Sequence, residues 1–88
     1  MTKRTKLEVT RDILETLQKN RQVKITHLIY KANLSNNSIK PYVDYLLKNK
    51  MMEEVLDKDK RHFKITPKGN EFLFEFSKIK IFSESFGL

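Results

Sequence analysis

Within the eleven residues from Ala32 to Tyr42 the chain places three asparagines, two serines and a proline, with apolar helical patterns on both sides. Asparagine and serine are poor inside helices because their side chains compete for backbone hydrogen bonds; the same chemistry suits them to caps and turns. On the far side Ile39, Tyr42, Val43, Leu46 and Leu47 fall at i, i+3, i+4, i+7 and i+8, an amphipathic helix over residues 35–49. On the near side Leu28, Ile29 and Ala32 are the inward positions of a short helix over 26–33, with Thr26 as its cap. The segment therefore demands two short helices joined by a tight turn, with Asn33 in the turn. Pro41 limits where the second helix begins. A Ser38 cap puts it in the first turn, where its missing N–H does little harm; a Ser35 cap puts it inside, at about 3 kcal/mol or more and with a kink. The pattern predicts a start between 35 and 38, irregular at the front.

The elements around this pair can be read the same way. Thr5-x-x-Glu8 is a capping box that opens a helix over 5–20, with Leu7, Thr10, Ile13, Leu14 and Leu17 at helical spacing and Asn20 as a left-handed stop. Gln22-Val23-Lys24-Ile25 alternates as a short strand. Asn49 ends the third helix in the role often given to glycine. Residues 51–66 read as a β-hairpin around Asp57-Lys58-Asp59-Lys60, with Phe63 and Ile65 inward and His62 and Lys64 wet. Thr66-Pro67 supplies an N-cap and a first-position proline for a last helix over 67–84. Residues 1–88 thus form a single domain, with 1–4 as a basic arm.

Charge narrows the partner. The chain carries +7 overall and a pI near 9.7. Residues 1–70 hold 16 basic and 8 acidic side chains, a net +8, whereas residues 71–88 hold 2 and 3, a net −1. A localised excess of that size points to a polyanion, most often nucleic acid. With no cysteine, disulfides and thiolate metal sites are excluded, and the chain suits a reducing cytoplasm. No apolar run is long enough to span a membrane, and Met1 to Lys6 lack the apolar stretch of a signal peptide. His27 and His62 stand apart in sequence, Asp57-x-Asp59 lacks the further ligands of a calcium loop, and neighbouring Glu53 and Glu54 face opposite sides of a strand. There is no nucleophile beside a histidine and no glycine-rich phosphate loop. The expectation is no metal, no cofactor and no enzyme.

The order helix, strand, helix, helix, β-hairpin, helix is that of a winged helix-turn-helix, an α+β and mainly α fold. The stretches KITHLIYKANLSNNSIKPYVDYLLKNKMMEE and RHFKITPKGNEFL resemble the archaeal winged-helix DNA-binding proteins of the dimeric 10a chromatin and regulator type. Those proteins carry a similar Y-x-A-N-L-S turn and an aromatic-x-aliphatic-T-x-K-G junction. The resemblance spans about residues 5–76 and implies a dimer that binds double-stranded DNA, regulates transcription or organises chromatin, and sits in the cytoplasm with the nucleoid. One departure matters. The family's last helix is long and pairs in an antiparallel coiled coil, whereas here about twenty residues follow Pro67.

In such a motif the front of the second helix enters the major groove. Asn36, Asn37, Ser38 and Lys40 are its candidates for base or phosphate contact, since asparagine pairs with adenine and lysine with guanine or phosphate. Lys48 extends that face, and Asp44 is expected to pair with Lys48 at i+4. On the hairpin, Lys58, Lys60 and Arg61 are candidates for phosphate or the minor groove, and Lys3 and Arg4 for either a phosphate clamp or a disordered solubilising tail. The serines serve equally well as caps. Five of the six phenylalanines lie in residues 72–86, and Phe72, Phe76, Ile79, Ser83 and Phe86 make a heptad-like stripe. The stripe predicts a C-terminal dimerisation helix, with Phe72, Phe76, Ile79 and Phe86 at the interface. The alternatives are a tail folded onto its own core and a winged helix serving as a protein-interaction module in a larger assembly.

Overall fold

The computed structural model describes residues 4–87. Its elements in chain order are α1 (Lys6–Lys19), β1 (Val23–Lys24), α2 (Ile25–Ala32), α3 (Asn36–Lys48), β2 (Met52–Asp57), β3 (Lys60–Ile65) and α4 (Pro67–Ser85). The strands form one antiparallel sheet in the order β1-β3-β2. β3 is central, so Phe63 meets Val23 on one side and Glu54 on the other. Its ring is fully buried, packed among Ile13, Leu14 and Leu17 of α1, Leu28 and Ala32 of α2, Ile39 and Leu46 of α3, and Met52. Burying such side chains stabilises the fold by about 1.5–3 kcal/mol each.

Local chemistry sets most of the boundaries. The Thr5 hydroxyl accepts from the Glu8 N–H at 3.1 Å and the Glu8 carboxylate accepts from the Thr5 N–H at 3.0 Å, completing the capping box. These bonds to the charged form hold the Glu8 carboxyl below its ordinary range. Thr10 and Thr16, both buried, return their hydroxyls to the carbonyls of Lys6 and Asp12.

Three boundaries differ from the sequence reading. Asn20 is extended, at φ −129°. The chain must run straight into β1, and the Asn20 amide instead donates to the Thr16 carbonyl at 2.7 Å. α2 starts at Ile25 with Lys24 as its cap and no side-chain capping bond. Lys24 is still paired with His62 in the sheet, so the chain turns directly from strand into helix and Thr26 already lies inside. At the end of α3 the left-handed residue is Lys50, at φ 57°, while Asn49 stays near helical and donates its amide to the Tyr45 carbonyl. Leu7 also departs from expectation: it is half exposed, and Val9 takes the inward place.

The junction from β3 into α4 is tight. The Thr66 hydroxyl donates to the Lys50 carbonyl at 2.6 Å and accepts from the Gly69 N–H at 3.1 Å. The Thr66 N–H reaches the Met51 carbonyl at 3.1 Å. That carbonyl lies so close to Gly69 that a Cβ there would sit 2.2 Å from its oxygen. Only glycine lets α4 approach the hairpin this closely. From this anchor α4 buries Leu73 and half-buries Phe72 and Phe76, with the Arg11 guanidinium 5.5 Å from the centre of the Phe76 ring. Further along, Ile79, Ile81, Phe82 and Phe86 are all exposed. The distal half of α4 does not fold back onto the core.

Candidate nucleic-acid interface

The turn between α2 and α3 puts the polar cluster on the surface. Asn33 adopts the left-handed conformation, φ 55° and ψ 51°, which asparagine tolerates better than most residues. Its N–H and that of Leu34 satisfy the last carbonyls of α2, at Tyr30 and Ile29. Ser35, not Ser38, caps α3: its hydroxyl oxygen accepts from the Ser38 N–H at 3.0 Å and its O–H donates to the Ser38 hydroxyl at 2.8 Å. Ser38 is thereby tied into the cap. Pro41 falls inside the helix, where its missing N–H frees the Asn37 carbonyl.

Ile39, Val43 and Leu46 anchor α3 in the core, which fixes what faces outward. Asn36, Asn37, Ser38, Lys40, Asp44 and Lys48 are all exposed. The hairpin meets this face at Arg61, which lines a groove with Asn36, Lys40 and Asp44. Its tip is a two-residue turn, Lys58 and Asp59, both with positive φ (52° and 64°), whose twist matches that of the flanking strands. The strands therefore reach Asp57 and Lys60, one residue further at each side than the alternation suggested. Among the described residues Lys40, Lys48, Lys58 and Lys60 form no ion pair, so their charges are uncompensated at short range.

Arg61 is held differently. Its Nε donates to Glu54 Oε1 at 2.6 Å and its Nη2 to Glu54 Oε2 at 3.2 Å. Those bonds to Glu54 push the Arg61 pKa up, with a smaller contribution from Asp44. Asp44 makes no ion pair with Lys48; it lines a groove with Arg61, Asn36 and Lys40 between α3 and the hairpin. Arg4 is also engaged. Its guanidinium binds Asp12 at 2.5 Å and the Ala32 carbonyl, tying the start of the chain to the end of α2. Lys3 lies outside the described residues.

Sequence reasoning missed Glu54, whose partnership with Arg61 depends on hairpin register, and Leu56, which is 70% exposed opposite Arg61. The two histidines, distant in sequence, line one shallow groove with Tyr30. Among the described residues no three His, Cys, Asp or Glu side chains cluster as metal ligands, and no helix is long and apolar enough to cross a membrane.

A family model described as winged helix-turn-helix matches residues 3–84. Among solved structures, Sso10a-2, a DNA-binding protein from Sulfolobus solfataricus, is similar at TM-score 0.80 and 26% identity, over 96% of this chain and 87% of that one. The transcriptional regulator BldR from the same organism is similar at TM-score 0.76 and 19% identity, over 91% and 60% of the two chains. A MarR family transcriptional regulator from Silicibacter pomeroyi DSS aligns at TM-score 0.75 and 22% identity, over 90% and 56%. No curated protein sequence matches the chain.

Proposed function

The chain belongs to the winged helix-turn-helix family, and from that premise we propose that it binds double-stranded DNA as a homodimer and regulates transcription or packages DNA at the nucleoid. The observation that carries the reading is the outward face of α3. It presents Asn36, Asn37, Lys40 and Lys48 to solvent, beside a hairpin whose Lys58 and Lys60 form no ion pair among the described residues. The lysines supply affinity through phosphate, and the asparagines supply selectivity through base edges. No covalent step is involved, and no cofactor is needed.

The dimer reading rests on α4. Ile79 and Phe86 are 60% and 67% exposed, and a second copy packing along Phe72, Phe76, Ile79 and Phe86 would remove them from water. Two-fold pairing is the commonest oligomer solution, and it would set two recognition helices about 34–36 Å apart, one DNA turn, if both enter successive major grooves. The same exposed face is what an interaction module would use; that alternative predicts weak DNA binding with little salt dependence.

Two substitutions on α3 test the reading. Asn37→Ala should cost about 1–3 kcal/mol on a duplex selected from a random pool, and little on random DNA. Lys40→Ala should weaken both by a similar factor, as expected of a phosphate contact. Unchanged affinity in both variants would move the reading surface off α3.

A further inference from the structure

Arg61 differs from the wing-tip cations Lys58 and Lys60 in being oriented. Cross-strand register places Glu54 opposite Phe63 and Leu56 opposite Arg61, so all four side chains share one face of the hairpin. Phe63 is buried in the core, which makes this the face turned toward the helices. The Arg61 guanidinium lies over the Phe63 ring at 5.3 Å, and Glu54 grips its Nε and Nη2 together. A guanidinium has five N–H donors in a rigid fork. With that side engaged, the second Nη2 hydrogen and one Nη1 hydrogen remain together as the end-on edge of the fork. The groove that Arg61 lines also holds Asn36 and Lys40 of the recognition helix.

We propose that Glu54 is a positioning residue: it holds Arg61 so that the free end of the guanidinium meets two adjacent DNA acceptors beside α3, either guanine O6 and N7 or two phosphate oxygens. The inference rests on the DNA-binding reading above. It also gives Glu54 an effect opposite in sign to its charge. A carboxylate on a DNA-facing surface repels phosphate, so simple electrostatics makes its neutralisation strengthen binding. Positioning makes the same change weaken binding, because a freed arginine must be ordered when the contact forms.

The test uses the full chain, a duplex selected from a random-sequence pool by the wild-type protein, and a random duplex of equal length. Glu54→Gln should bind the selected duplex ~3- to 10-fold more weakly, while Arg61→Ala should lose ~5- to 100-fold. Glu54→Asp, which keeps the carboxylate, should retain more affinity than Glu54→Gln. Adding Glu54→Gln to Arg61→Ala should produce no further loss. Replacing guanines of the selected duplex by 7-deazaguanine removes the N7 acceptor. Disappearance of the Glu54→Gln effect then identifies guanine as the partner, and its persistence identifies phosphate. Glu54→Gln that folds normally and binds the selected duplex as tightly as wild type, or more tightly, overturns the positioning role and leaves DNA binding intact. A wild-type protein that binds no duplex overturns the DNA reading itself, and this inference with it.

Discussion

Replacing Gly69 by alanine attacks the contact that sets α4 against the hairpin. The new Cβ would lie 2.2 Å from the Met51 carbonyl oxygen and 2.7 Å from Ile65 Cγ1, where real Cβ contacts do not fall below 3.0 Å. The Ile65 side chain can rotate, but the Met51 carbonyl is backbone and also accepts from the Thr66 N–H at 3.1 Å. Relieving the overlap takes a shift of roughly 0.8 Å, at an overpacking cost of about 1–3 kcal/mol. Straining the Thr66 bond adds up to about 1 kcal/mol. Against this stands the helix preference for alanine over glycine, at most about 1 kcal/mol. The net is a loss of about 2 kcal/mol, or about 8–16 °C in the melting temperature of a domain this size. Thermal unfolding followed by circular dichroism measures it. A Gly69→Ala protein as stable as wild type would show that α4 does not rest on the Met51 carbonyl, and the account of the junction would fail.

Two further outcomes follow from the structure. Lys58→Asn with Asp59→Gly installs the residue pair that a two-residue turn with positive φ prefers, and should raise stability by about 1 kcal/mol; a lower urea midpoint would contradict the turn geometry. Ile79→Gln with Phe86→Gln removes two exposed side chains, each worth about 1.5–3 kcal/mol when buried, and should turn a dimer into a monomer with little change in the fold. Light scattering reads the mass directly, and a wild-type protein that is already monomeric at about tens of micromolar would refute the dimer.

What the sequence disclosed and what it hid divide along physical lines. Thr5 with Glu8, Thr66 with Pro67, and Asn33 all act on backbone groups a few residues away, so their roles could be read from spacing alone. Spacing left Ser35 and Ser38 open as the cap of α3, and the structure decides for Ser35. The inward stripe Ile39, Val43 and Leu46 was legible for a similar reason, because helical periodicity is local. Asn20, Lys24 and Lys50 were not legible. Each sits where the chain must join a neighbouring element, and tertiary direction overrode the residue's own preference. The same holds at the candidate interface. The outward exposure of Asn37 and Lys40 followed from the helix face, but the pairing of Arg61 with Glu54 required the hairpin register. Asp44 was expected to meet Lys48 along its own helix; instead it faces the groove where Arg61 lies. Arg4, read as part of a basic N-terminal arm, is engaged by Asp12 and by the carbonyl of Ala32, a contact that exists only once α1 and α2 have packed.

On the proposed function, the basic body, +8 over residues 1–70, binds duplex DNA through phosphate. The most direct measurement is the equilibrium affinity of the wild-type protein for duplex DNA across a series of salt concentrations. Neutralising about 5–8 phosphates releases the condensed counterions, so log K should fall with log salt at a slope of about −4.5 to −7. A slope near zero, or no binding at low salt, would contradict the account.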